Sequence, residues 1–175
     1  MRRNQGQVSM IREGWIAIFI FASVFVWRSE VHAVETVGFK GYPKGSVVIR
    51  TNERRLYYVI STEKALRFSV AVGRRGRQWQ GNTRVSRKMR NPAWSPPAAV
   101  RKDKPHLPKT VPPGPSNPVG VAVLILGNGT YGIHGTNNSA SIGKEASYGC
   151  IRMKNSDVLN LYAKVRVGTP VYVVK

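Results

Sequence analysis

The chain has 175 residues and an ordinary apolar share of 42%, room for one domain of common size. It carries 28 Lys and Arg against 8 Asp and Glu, a formal net charge of +20, and a single cysteine. One cysteine excludes an internal disulfide, and the absence of any repeat of solenoid length excludes a repeat fold.

The first 33 residues read as a leader. Arg2, Arg3 and Arg12 precede a 13-residue apolar run, WIAIFIFASVFVW, and Val31-His32-Ala33 follows with short residues where a signal peptidase cuts. An uncleaved anchor would need about 20 apolar residues to span a bilayer. The expectation is therefore a secretory signal peptide over 1–33, and an exported chain. Removing it leaves 24 basic and 6 acidic residues, a net +18. Nucleic acid is the usual partner of such a balance, and export argues against it. The same field attracts an anionic membrane surface, phosphorylated wall polymers or a peptide network rich in carboxylates. A solvated basic surface is the plainer reading.

Residues 34–45, with Gly38, Gly41, Pro43 and Gly45, read as a linker, and 46–175 as one domain. SVVIRT (46–51) and LYYVI (56–60) are strands of a hairpin across Asn52-Glu53-Arg54. ALRFSVAV (65–72) is a third strand, with Leu66, Phe68, Val70 and Val72 on one face at period two. From 77 to 117 eight prolines begin at Pro92, and Trp79 and Trp94 are present. That composition argues against a central strand or long helix, and predicts an ordered loop. The tryptophans either pin this loop to the body or touch a ligand.

VAVLIL (121–126) is apolar throughout, a strand buried on both faces. Gly127-Asn128-Gly129 turns the chain into TYGIH (130–134). Asn155 or Ser156 caps a helix to about Val165, with Val158, Leu159, Leu161, Tyr162 and Val165 inward. A last strand covers 171–174. The fold class is mainly β with one small helix.

Cys150 lies just before that helix, and His134 ends a strand upstream, with fifteen residues between the two. In an exported chain a solitary thiol is either a buried small hydrophobe or a reactive group. An imidazole nearby could take the thiol proton and return it to a leaving amine. Arg152 would favour the thiolate, and Gly149 would let main-chain N–H groups at 148–150 approach an oxyanion. One Cys and His residues far apart in sequence lack metal-ligand spacing, so no metal is expected.

His134-Gly135-Thr136, Ser139-x-Ser141-Ile142-Gly143 and Ser147-Tyr148-Gly149-Cys150-Ile151-Arg152-Met153 together resemble the L,D-transpeptidase (YkuD-type) catalytic domain. Val70-x-Val72-Gly73, Asn117-Pro118-Val119-Gly120 and Val167-Gly168-Thr169-Pro170-Val171 resemble its other landmarks, so the likeness runs from about residue 45 to the C-terminus. It implies a β-sandwich-like fold and a cofactor-free cysteine acyltransferase of peptidoglycan, concerned with wall organisation and cell shape in a Gram-negative-type periplasm. Cys150 would form an acyl-thioester with a stem tetrapeptide, release D-alanine, and transfer the acyl group to a neighbouring stem's amine in a 3-3 cross-link. His134 would be base then acid, its ring oriented by the carbonyl of Gly135. Ser147, Tyr148 and Gly149 would surround the oxyanion. Arg152 would meet a substrate carboxylate or form a structural ion pair. Other acceptors with the same chemistry are an outer-membrane protein or a D-amino acid, and a non-catalytic wall-binding module is the rival class. Two positions depart from the family: Tyr148 stands where His is usual, and near Gln80-Gly81-Asn82-Thr83 only Gly81 matches.

Overall fold

The computed structural model describes Met1, residues 34–127 and residues 129–175. The expected signal peptide and Asn128 of the expected turn lie outside the described residues. Residues 33–175 form one unit.

In chain order the elements are β1 (Glu35–Gly38), β2 (Val47–Arg50), β3 (Arg55–Val59), β4 (Lys64–Ser69), β5 (Val72–Gly73) and β6 (Gly81–Arg90). Then follow α1 (Ala98–Asp103), β7 (Ala122–Leu126), β8 (Tyr131–His134), β9 (Glu145–Ser147), β10 (Ile151–Arg152), α2 (Asn155–Lys164) and β11 (Pro170–Val174). Among the described residues, nine strands form one sheet in the order β1-β4-β3-β2-β11-β6-β7-β8-β10, and β5 pairs with β9. The mainly β, sandwich-like architecture is as expected.

The 46–60 hairpin is present, with Arg50 opposite Arg55 and Arg54 in the left-handed region at φ 53°. Period two then sorts its side chains. Val47, Ile49 and Leu56 enter the main core, whereas Val48, Tyr57 and Val59 face a smaller cluster on the other side. Leu66, Phe68, Val70 and Val72 share the main core as their spacing requires. Their run is broken, however: β4 pairs with β1 and β3, while β5 leaves the sheet to pair with β9.

Two expectations are corrected. The linker over 34–45 is part of the fold, because β1 adds to the sheet edge beside β4. Phe39 then stacks on Tyr57 at 4.4 Å and on Tyr42 at 5.7 Å, closing the smaller cluster. Glycines and a proline suggested a spacer, but the intervening apolar side chains bury against a face that would otherwise be wet.

The second correction concerns 77–117. Its first part holds β6, ten residues long and central between β11 and β7. The residues of β6 are mostly polar and exposed, and only Val85 is buried, so hydrophobic alternation gave no signal. The prolines start beyond the strand's end and do not oppose it. A register shift between Val85 and Arg87 bends β6, so its first half pairs with β11 and its second with β7. Through that bend, inward residues of both halves of the sheet and Val158, Leu161 and Val165 of the helix segment meet in one core.

Helix α2 ends at Lys164, close to expectation, but its cap differs. Lys154 occupies the N-cap position with no side-chain cap, while Asn155 Oδ1 accepts the Thr136 N–H at 3.1 Å. The Lys88 ammonium closes the other end, donating to the carbonyls of Tyr162 and Val165.

Candidate active site

Strands β8 and β10 run parallel, with Ile133 opposite Ile151 and His134 opposite Arg152. Opposed residues of parallel strands point to the same face, and successive residues alternate. Ile133 and Ile151 therefore go into the core, where both are buried. His134 and Arg152 go to the opposite face, together with Cys150 one step earlier. All three line one cavity of about 440 Å³. Met89 of β6 and Val123 and Ile125 of β7 form its apolar floor. Strand β7 is thus buried on both faces as expected, one face against the core and the other under the site.

The roof comes from the proline-rich segment after β6. Pro92, Trp94, Pro97 and Val100 line the cavity on that side. Trp94 and Val111 exchange two backbone hydrogen bonds, and Asn117 Nδ2 donates to the carbonyls of Pro92 and Pro112. Near Cys150, Asp103 Oδ2 accepts from the Tyr148 hydroxyl at 2.8 Å and from Arg74 at 2.6 Å. Of the two tryptophans, Trp94 lines the cavity and Trp79 bonds the main chain beside Cys150.

The turn that carries Cys150 is held by three fixed contacts. Ser147 Oγ accepts the Gly149 N–H at 3.0 Å and donates to the Cys150 carbonyl at 2.5 Å. Trp79 Nε1 donates to the Gly149 carbonyl at 2.9 Å and its ring stacks on Tyr131 at 4.7 Å. Gly149 has φ 118°, and a Cβ there would lie 2.5 Å from the Tyr131 ring. Only glycine satisfies both the backbone and the ring. Because its N–H already serves Ser147, Gly149 is not a free oxyanion donor, contrary to the sequence expectation. Ser147 clamps the turn.

At the end of β8, His134 Nδ1 lies 2.6 Å from the Gly135 carbonyl, which can only accept. The proton of the neutral ring is therefore on Nδ1, leaving Nε2 as the basic atom. Gly135 has the orienting contact expected of it. A Cβ on Gly135 or on Gly120 would fall 2.2 Å from Asn155 Oδ1, so both glycines serve the packing of this corner.

Electrostatics favour a neutral pair. Burial depresses His134 to about 4 against the pull of the Gly135 hydrogen bond, and the Arg152 charge adds to the depression. Burial also pushes the Cys150 thiol up, outweighing a Gly132 main-chain hydrogen bond and the Arg152 charge that favour the thiolate. Arg152 favours the thiolate as expected, but desolvation is the larger effect and keeps the thiol neutral. Arg152 is itself held below its ordinary value by burial, and it makes no ion pair among the described residues. The structural ion pair weighed for it is absent there.

Residues 44–173 match the YkuD L,D-transpeptidase catalytic domain. The chain belongs to that family. It is 39% identical over 132 residues to the probable L,D-transpeptidase YbiS of Escherichia coli strain K12, covering 71% of this chain and 43% of that protein. It therefore spans less than half the length of this curated relative. An L,D-transpeptidase structure from Mycobacterium smegmatis superposes with a TM-score of 0.59 at 18% identity, covering 74% of this chain and 58% of its own, a likeness of fold. A Brucella melitensis structure named a probable carnitine operon oxidoreductase is 36% identical, with a TM-score of 0.54 over 77% of this chain and 89% of its own. That name points to other chemistry. Family membership here rests on the family match and agrees with the Cys150, His134 and Arg152 geometry.

Sequence reasoning missed Tyr131, Asp103 and Asn155 as supports of the site, and gave Trp79 as a pin or a ligand contact without its partner Gly149. Each acts across a long sequence separation, so no local pattern marks it. The one legible trace was Gly149, whose missing side chain implies a close neighbour without saying which.

Proposed function

We propose that this chain is an exported peptidoglycan L,D-transpeptidase with Cys150 as nucleophile and His134 as general base. The carrying observation is that β8 and β10 deliver both residues to one face and one cavity, with His134 Nε2 left basic. Substrate binding brings an electrophilic carbonyl to the neutral thiol. His134 takes the proton as sulfur attacks, then gives it to the departing D-alanine amine. The acyl group of the stem remains as a thioester on Cys150. An amine of a second stem attacks it, His134 accepts the amine proton, and the proton returns to the thiolate as the amide forms.

The developing oxyanion is met by main-chain N–H groups of Tyr148 and Cys150, since that of Gly149 is engaged. A hydroxyl contact from Tyr148 to substrate is not required, because the Tyr148 hydroxyl is held by Asp103. Arg152 receives a carboxylate of the donor stem, which suits an unpaired guanidinium in an apolar cavity. The leader-like composition of residues 1–33 and a wall substrate together support delivery to the periplasm of a Gram-negative-type envelope. Among the described residues no helix is long and apolar enough to cross a membrane.

Incubating residues 34–175 with muropeptide tetramers and weighing the products tests the reaction. Dimers with loss of D-alanine support transpeptidation. Tripeptide without dimer assigns hydrolysis. Dimer formation by Cys150→Ala protein would overturn the nucleophile. Transfer to an outer-membrane protein or a free D-amino acid uses the same acyl-enzyme and is read by supplying that amine instead.

A further inference from the structure

The cavity mouth carries a charge pattern that the reaction chemistry leaves unused. Two segments meet there: the turn after β5, with Arg74, Arg75 and Arg77, and the end of α1, with Arg101, Lys102 and Lys104. They are joined by Asp103, which accepts from Arg74 and from Tyr148 beside the nucleophile. Asp103 is the only carboxylate in either segment, so the two segments together hold six cations and one acid. Arg101 is turned back onto the Pro96 carbonyl at 2.7 Å. Arg75, Arg77, Lys102 and Lys104 are exposed and make no ion pair among the described residues.

Position distinguishes this collar from the general basicity of the chain. Arg77 lines the cavity, and its carbonyl lies against Gly149, next to Cys150. Val100, three residues before Asp103 on α1, lines the cavity from the roof. Among the described residues no Asp or Glu lines the cavity at all. An anion approaching Cys150 thus meets cations at the mouth and Arg152 within, with no fixed negative charge facing the cavity.

We propose that the collar of Arg75, Arg77, Lys102 and Lys104 is the docking surface for the acceptor strand, which it holds by the strand's free carboxylates. This rests on the transpeptidase reading and names what that reading leaves open, the acceptor. A thioester on Cys150 lies within the cavity and must be reached by an amine from outside. A strand held at the mouth by its carboxylates has its amine beside that opening, and one without them is held weakly. The collar thereby selects an anionic peptide over a neutral amine or water.

The test uses Arg75→Ser/Lys102→Ser/Lys104→Ser protein, with Lys44→Ser/Lys64→Ser/Lys164→Ser as a control of equal charge change at exposed positions away from the mouth. Transfer from one donor is measured to a carboxylate-bearing tripeptide acceptor and to the same acceptor with its carboxylates amidated. The collar variant is expected to raise KM for the charged acceptor about ten-fold at low salt, with the gap closing as salt screens it. The amidated acceptor and the control variant are expected to show little change. Equal effects on both acceptors, or equal effects of both variants, overturn the proposal. So does loss of binding to anionic phospholipid vesicles with the acceptor KM unmoved, which would assign the collar to a membrane surface. Calorimetric titration of the charged tripeptide into the unreacted proteins reads docking without turnover. If the wild-type protein forms no acyl-enzyme, the transpeptidase reading fails on its own, and the titration still decides whether the collar binds carboxylates.

Discussion

Strands β8 and β10 and the roof above them solve the same problem, placing side chains around Cys150, by different means. In the strands, alternation does the placing: Ile133 and Ile151 are fixed by the core, and His134, Cys150 and Arg152 are consequently fixed on the other face. In the roof, residues are placed largely by hydrogen bonds, such as those of Asn117 and Asp103, with Pro92, Pro96 and Val100 buried among them. A face backed by a core is costly to move. A roof held by single contacts at its rim is not, and it is there that variation in substrate handling is cheapest to introduce.

The largest effect should come from the nucleophile itself. Cys150→Ala is expected to lower acyl transfer by about 10⁴-fold or more, read as loss of the thioester adduct by mass, while stability changes little. On the hidden face of the same strands, Ile133→Ala should cost about 2–4 kcal/mol by chemical denaturation. If it costs under about 1 kcal/mol, the claim that the core places the site through these strands is broken.

The pH profile sharpens the same contrast, because only the backed face is dry. His134 titrates at about 4 in the folded chain against an ordinary 6.5. The acid limb of kcat/KM should therefore centre near pH 4, and a limb near 6.5 would show that the ring is wet. Stability carries the same sign. Between those pH values the unfolded chain binds the extra proton, so stability is fully present above 6.5 and falls as pH drops towards 4. The full difference is on the order of 3 kcal/mol. Burial also holds the thiol above its usual value, so no thiolate absorbance should appear at neutral pH. A thiolate signal there would replace general-base catalysis with a preformed ion pair.

The smallest effect belongs to the roof. Tyr148→Phe removes the hydroxyl bound to Asp103 and keeps the ring that Arg74 covers at 4.3 Å. Stability should change by less than about 1 kcal/mol, since the contact is at the surface. KM for the donor should rise by roughly a few-fold with kcat nearly kept, as expected for loosening a cover rather than a reacting group. An equal fall in kcat would place Tyr148 in the chemistry.

Much of this was legible without coordinates, and its limits were physical. The inward set Leu66, Phe68, Val70 and Val72 and the inner side of α2 follow from period two or 3.6, and the hairpins over 46–60 and 121–134 from apolar, β-branched runs flanking short polar or glycine turns. Cys150 and His134 came from the motif, since spacing alone left the thiol free to be inert. β6 was hidden because its residues are mostly polar, and β1 because its glycine-rich neighbourhood resembles a spacer. Asn155 was read as a cap because Asn at a helix start usually serves its own helix.

The sequence by itself determined which faces are apolar, where the chain turns, and which thiol and imidazole are available, because these depend on residues near one another along the chain. Only the tertiary structure decided that Trp79 and Tyr131 support Gly149, that Asp103 ties the roof to Tyr148, and that His134 is dry enough to stay neutral. Each of those depends on which distant segments come together, and on how much water they exclude when they do.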